Sequence, residues 1–304
     1  MKPTKQVCHP RLAPPHGGFT LVELVTIIAV LALLALTFLP ARAATRTKSD
    51  AVLCVNHLRQ LMGAVTLYAS DNHDFFPPNP DDGNTVPGHN WCQGQAGIGG
   101  AQEFNPDILK DPTRCLIAPY LRGEVNVFHC PADSRTGTYQ GTDPTKAGRV
   151  VPAARSVSLN GGVGTICLGF NNGFGHSGAP TLSVNGPWLD GAHGHRRNTP
   201  YATFGRTTDY SRVGPAQIFT LLDENPWSLN DGCFGVIAAM PAWVDWPGIY
   251  HENGGGFAFA DGHAEMHQWQ TGSFLLNGPA HRGTTVASNP DWQWEWTHAT
   301  VKLY

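Results

Sequence analysis

The stretch HGGFTLVELVTIIAV, residues 16–30, decides how the chain is read. It opens an apolar run from Phe19 to Leu39 that carries one charge, Glu23. As a helix rising 1.5 Å per residue, that run spans about 31 Å, the thickness of a bilayer's hydrocarbon core. A carboxylate at the centre of such a span costs roughly 2.5–3.5 kcal/mol on insertion scales. A chain that keeps one either supplies a partner for it or does not leave the helix in lipid. A secretory signal peptide has a shorter apolar region with its small-residue cleavage site after it. Here the small pair Gly17-Gly18 comes before the run, so cutting there removes a basic leader (Lys2, Lys5, Arg11) and keeps the helix. Arg42, Arg46 and Lys48 follow the run, so charge bias leaves its orientation open.

Beyond Pro40 the helical period continues through Ala51, Val55, Leu58, Met62, Val65 and Ala69, with Asp50, Asn56, Arg59 and Gln60 opposite. This predicts an amphipathic helix over residues 41–72 that presents one face to a globular body. Pro40 lacks a backbone donor and predicts a bend. The helix is expected to stop near Asp71-Asn72, ahead of Phe75-Phe76-Pro77-Pro78.

Of 304 residues only 14% are charged, while Gly contributes 35 and Pro 24. That balance suits an extracellular, turn-rich body over a helical cytosolic one. The net charge of −3 gives no reason to expect nucleic-acid binding, and losing the basic leader makes the remainder more acidic. From residue 73 the periodic segments are short. A short helix is expected within 107–121. Strands are expected at Val125–Cys130, Ser156–Asn160, Ile218–Asp223, Gly235–Ala239 and Gly256–Ala260, the last paired with His263–Trp269 across the Asp261-Gly262 turn. Residues 160–200, rich in Gly, Asn and His, read as an excursion with little core.

The sequence Gly18-Phe19-Thr20-Leu21-Val22-Glu23 resembles the processing site of type IV prepilins and type II secretion pseudopilins. Pro40 falls at the twenty-second position after the cut, where many members carry a helix-kinking proline. Through the body, the landmarks resemble bacterial pseudopilin-like proteins with a C-terminal H-x9-DG domain. His251 and Asp261-Gly262 supply that element, Cys54–Gln60 is similar to its C-x-N-x-L-K-Q segment, and Cys130-Pro131-Ala132-Asp133 to its C-P-x-D. Tyr68–Asn72 is similar to its Y-A-x-D-N, and Asp223-Glu224 with Asn230-Asp231-Gly232 to its D-E…N-D-G. Arg59 in place of the usual Lys and the 160–200 excursion depart from the pattern.

The resemblance implies an α+β, pilin-like fold: a long N-terminal helical spine, kinked near Pro40, packed on an antiparallel β-sheet body. The domains are then a leader (1–18), a transmembrane or filament-core helix (19–40), an amphipathic spine helix (41–72) and a globular domain (73–304) that includes the H-x9-DG element (251–262). It implies cleavage after Gly18 by a prepilin peptidase, N-methylation of Phe19, and assembly with other pilin or pseudopilin subunits on an inner-membrane platform. Before assembly the chain would be a single-pass inner-membrane protein with its body in the periplasm or at the cell surface. Glu23 would then neutralise the new N-terminal ammonium of Phe19 inside an apolar bundle, where an unpaired charge is costly. The alternative is a membrane-anchored binding module for polysaccharide or secreted cargo, using the C-terminal tryptophans Trp243, Trp246, Trp269, Trp292, Trp294 and Trp296. Burial of those rings between sheet and tail is the simpler reading.

Chemistry-bearing residues are sparse. There is no G-x-S-x-G motif and no CxxC pair, so neither a serine hydrolase nor a zinc knuckle is signalled, and an enzyme is not expected. No cofactor is required by the reading. Asp223, Glu224, Asp231, His251 and Asp261 lie near expected strand ends, and oxygen-rich sets of this kind suit Ca²⁺; the same residues also cap turns. Apart from Cys8, the cysteines are Cys54, Cys92, Cys115, Cys130, Cys167 and Cys233, an even number that fits disulfides in an exported body or buried free thiols. Because Cys54 and Cys130 both fall in matching segments, the resemblance favours bridging them, leaving Cys92–Cys115 and Cys167–Cys233.

Overall fold

The structure is a computed structural model, and it describes residues 20–81, 87–166, 183, 184, 186–193, 199–275, 278 and 282–304. Gly18, Phe19 and Cys167 lie outside these, as do the side chains of residues 35–47, Pro40 among them. The backbone of α1 is helical over Leu21–Asp71. Within it the chain divides into two units, residues 1–46 and 47–304. In the first unit Leu21, Val22, Leu24, Val25, Ile27, Ile28, Val30 and Leu31 are all exposed. The Glu23 carboxylate accepts from the Thr20 backbone N–H and hydroxyl, both at 2.9 Å, and so caps the first turn. Among the described residues, no helix is long and apolar enough to cross a membrane.

In the second unit α1 supplies the helical stripe that its sequence announces. Cys54, Leu58, Leu61, Met62, Val65 and Ala69 are buried at three- and four-residue spacing. The strands are β1 (Thr136–Thr138), β2 (Val150–Pro152), β3 (Val157–Asn160), β4 (Phe219–Asp223), β5 (Cys233–Phe234), β6 (Ala242–Trp243), β7 (Gly254–Phe259), β8 (Ala264–Gln268) and β9 (Gly283–Thr284). The main sheet has the order β5-β3-β4-β7-β8, and β1-β2 and β6-β9 form two-stranded ribbons. A C-terminal helix α2 (Pro290–Ala299) completes the body.

The sheet separates two apolar layers. Leu159, Leu221, Ala258 and Ala264 face the α1 stripe. Phe219, Leu222, Phe234, Phe257 and Phe259 face Trp269, Phe274 and Trp292. A register shift between Phe219 and Leu221 puts Phe219 and Leu222 on the same side. The β7–β8 hairpin forms at Asp261-Gly262, with Gly262 at φ +92°. Trp243, Trp246, Trp269 and Trp292 are buried, and Trp294 and Trp296 pack against their cluster, which removes most of the surface a stacking site would need.

Several expectations are corrected. A single long spine on an antiparallel sheet is not what forms: the chain divides within α1, and β5 pairs parallel with β3, so the sheet is mixed. Val125–Cys130 is a 3-10 turn (Asn126–Phe128), because Pro131 denies the segment a ladder donor just where a strand would continue. Residues 107–121 hold two 3-10 turns, Pro106–Leu109 and Ala118–Leu121, each started by a proline or alanine-proline pair. Pairing near Gly235–Ala239 is confined to Cys233–Phe234.

Candidate metal centre

Four segments meet beneath the α1–sheet contact. Cys54 is the first buried residue of the α1 stripe. Cys130 follows the Asn126–Phe128 turn, and its N–H donates to Ser156 Oγ at 2.7 Å, which ties it to the start of β3. Asp223 ends β4 beside β7, where the Gly256 N–H donates to its Oδ2 at 3.0 Å. His251 opens the turn into β7: its N–H donates to Gly254 O at 3.1 Å across Glu252 and Asn253, both left-handed at φ 54° and 66°. Gln268 of β8 donates to the His251 carbonyl at 3.1 Å.

Their side chains converge. One ligand-capable atom from each of Cys54, Cys130, Asp223 and His251 lies within 4.8 Å of all the others. Cys54 Sγ donates to Asp223 Oδ2 at 2.9 Å, and Cys130 Sγ lies 3.1 Å from His251 Nε2. The residues are 1%, 1%, 0% and 2% exposed, so the cluster is closed to bulk water. Asp223 Oδ1 and His251 Nδ1 are buried and have no hydrogen-bond partner. Orphaned buried polar atoms of this kind cost about 1–3 kcal/mol each and need an explanation. A Cβ at Gly256 would sit 3.2 Å from Cys54 Sγ and 3.0 Å from Asp223 Oδ2, so the glycine keeps the cradle clear. A buried Cys/Asp/His set of this composition can hold a metal ion.

With no cation, the surroundings drive every member toward its neutral form. The Cys54 thiol is pushed well above its usual range, first by its bond with Cys130, then by burial and by Asp223. Burial raises Cys130. Burial raises Asp223 to about 7 against the bonds from Cys54 and Gly256. Burial lowers His251, opposed by the charge of Asp50.

The structure thus brings two of the five expected oxygen or nitrogen ligands together and disperses the rest. Glu224 bonds the Ser158 and Ser228 hydroxyls, the latter at 2.9 Å, on the far side of β4. Asp231 accepts the Cys233 N–H at 2.6 Å. Asp261 sits at the exposed hairpin tip and accepts from the His263 N–H at 3.0 Å, as a turn cap does. Cys54 and Cys130, read from sequence as a bridge, are adjacent but are thiols, as are buried Cys92, Cys115 and Cys233. Cys92 and Cys115 are also neighbours, their side chains hydrogen-bonded. The sulfurs were not legible as metal ligands because 75 intervening residues separate them and no short-range pattern marks them. Protein-family models, curated proteins and solved structures yield no match to this chain.

Proposed function

We propose that the chain is a pseudopilin-like structural subunit, cleaved after Gly18 and assembled through its N-terminal helical segment into a type II secretion or type IV pilus-like filament. The observation that carries this reading is the first unit's helix: apolar side chains from Leu21 to Leu34 lie exposed around its circumference, with one acid, Glu23, in the first turn. A helix apolar all round is stable in water only when lipid or copies of itself cover it. Its partners on this reading are a prepilin peptidase, an inner-membrane assembly platform and further subunits, with the body in the periplasm or at the cell surface.

Mass spectrometry of sheared surface material, together with electron microscopy, tests it. The mature chain should begin at N-methylated Phe19 in filamentous material. Gly18→Ala should leave the precursor unprocessed in the membrane. Glu23→Ala should be processed normally yet absent from the sheared fraction. An unprocessed wild-type chain, or filaments built normally from Glu23→Ala, would overturn the proposal.

A further inference from the structure

We propose that Cys54, Cys130, Asp223 and His251 form a closed, four-coordinate structural zinc site that fastens the body's helix to its sheet. The inference stands on the body alone and is independent of whether the chain polymerises.

The donor set selects the ion. Two sulfurs, one imidazole and one carboxylate match a zinc site in kind and in number. Calcium takes six to eight oxygens, and this cluster offers one carboxylate. Zinc bonds of about 2.3 Å to sulfur and about 2.0–2.2 Å to nitrogen and oxygen hold tetrahedral ligand atoms about 3.3–3.8 Å apart. The Cys54–Asp223 and Cys130–His251 contacts, 2.9 and 3.1 Å, would open by about half an ångström, within a cluster whose widest separation is below 4.8 Å. Four protein ligands fill the coordination shell, and the burial leaves no path for a water or substrate, which separates a structural site from a catalytic one. Among the described residues, no other His/Cys/Asp/Glu group has this arrangement.

Loading is an exchange of protons for metal. The two thiols and the Asp223 carboxyl, where protonated, release their protons to solvent, and three anionic ligands and a neutral imidazole then face the dication. The competing outcome is a Cys54–Cys130 disulfide, which needs an external two-electron oxidant and removes both sulfurs from the metal.

The full-length chain, purified in detergent under reducing conditions, decides between them. We expect about one zinc per chain by elemental analysis. Cobalt(II) replacement should give thiolate-to-metal charge transfer in the near ultraviolet and the intense visible bands of a tetrahedral site. A zinc chelator, but not a calcium-selective one, should lower the melting temperature. His251→Ala should weaken zinc binding by at least the roughly 10–100-fold that outer-shell changes alone cost at such sites. If that variant misfolds, His251→Cys restores four donors and should bind cobalt with stronger charge transfer; the wild-type spectrum needs no variant at all. A metal-free chain, a cobalt spectrum without thiolate bands, or peptide mapping that finds Cys54 joined to Cys130 in chain isolated from its cells would overturn the proposal.

Discussion

Asp223 and Glu224 are adjacent, and as sequence they form one acidic pair. Strand geometry sends consecutive side chains to opposite faces, so Asp223 accepts from the Cys54 thiol and the Gly256 N–H while Glu224 accepts from two hydroxyls. That is why grouping them as ligands of one ion fails, although each lies near a strand end as expected. The expected strand opened at Gly256, whereas β7 starts at Gly254, and inside it space, not φ, dictates Gly255 and Gly256. A Cβ at Gly255 would meet the Gly248 carbonyl oxygen at 2.6 Å, and one at Gly256 would meet Leu58 Cδ1 at 2.6 Å. A backbone carbonyl yields less readily than the end of a leucine. Denaturant unfolding should therefore find both alanine variants destabilised by about 1–3 kcal/mol, with Gly255→Ala the worse. No loss in Gly256→Ala would mean that β7 and α1 are not in such close contact, and no loss in Gly255→Ala would mean the same of β7 and Gly248.

Helix α2 was missed, although its start is written plainly: Asn289 accepts from the Asp291 and Trp292 N–H groups at 2.9 and 3.1 Å, and Pro290 occupies the first turn. Asn289→Ala should cost about 1 kcal/mol in equilibrium unfolding. The same helix covers β8, where His267 stacks on Trp294 with ring centroids 3.7 Å apart. Burial lowers His267 from 6.5 to about 4; Asp291 opposes the shift and His298 adds to it. Between those two values the unfolded chain binds the extra proton, so this residue's contribution is complete above 6.5 and is lost as pH falls toward 4. Buried acids such as Glu224, raised to about 7, act in the opposite sense, so wild type alone will not isolate the effect. The stability difference between wild type and His267→Gln should shrink on acidification through that window. A difference that stays constant with pH would remove His267 from the account.

For the molecule as a whole, periodicity revealed what repeats locally: the α1 stripe, β4, and the β7–β8 hairpin all lie where alternation or helical spacing placed them. What it did not reveal depends on contacts distant in sequence. The parallel pairing of β5 with β3 joins Leu159 to Cys233, and no pattern within either segment encodes it. The division of the chain after Arg46 is likewise invisible to periodicity. All buried apolar residues of the described chain lie from Cys54 onward, within the second unit. Limited trypsin digestion should release a resistant fragment beginning just after Arg46 or Lys48, with its near-ultraviolet circular dichroism intact. Digestion into small peptides at that stage would show that the core needs residues upstream.

The four ligating positions occur along the chain in the order sulfur, sulfur, oxygen, nitrogen, at 54, 130, 223 and 251. A chain synthesised from its N-terminus therefore presents both thiols before either of their other partners. Closing the loop between them is cheap relative to waiting for the last turn to form, because loop entropy grows only logarithmically with length. The proposed site is then completed late in the chain, because its fourth donor, His251, arrives only with the turn into β7.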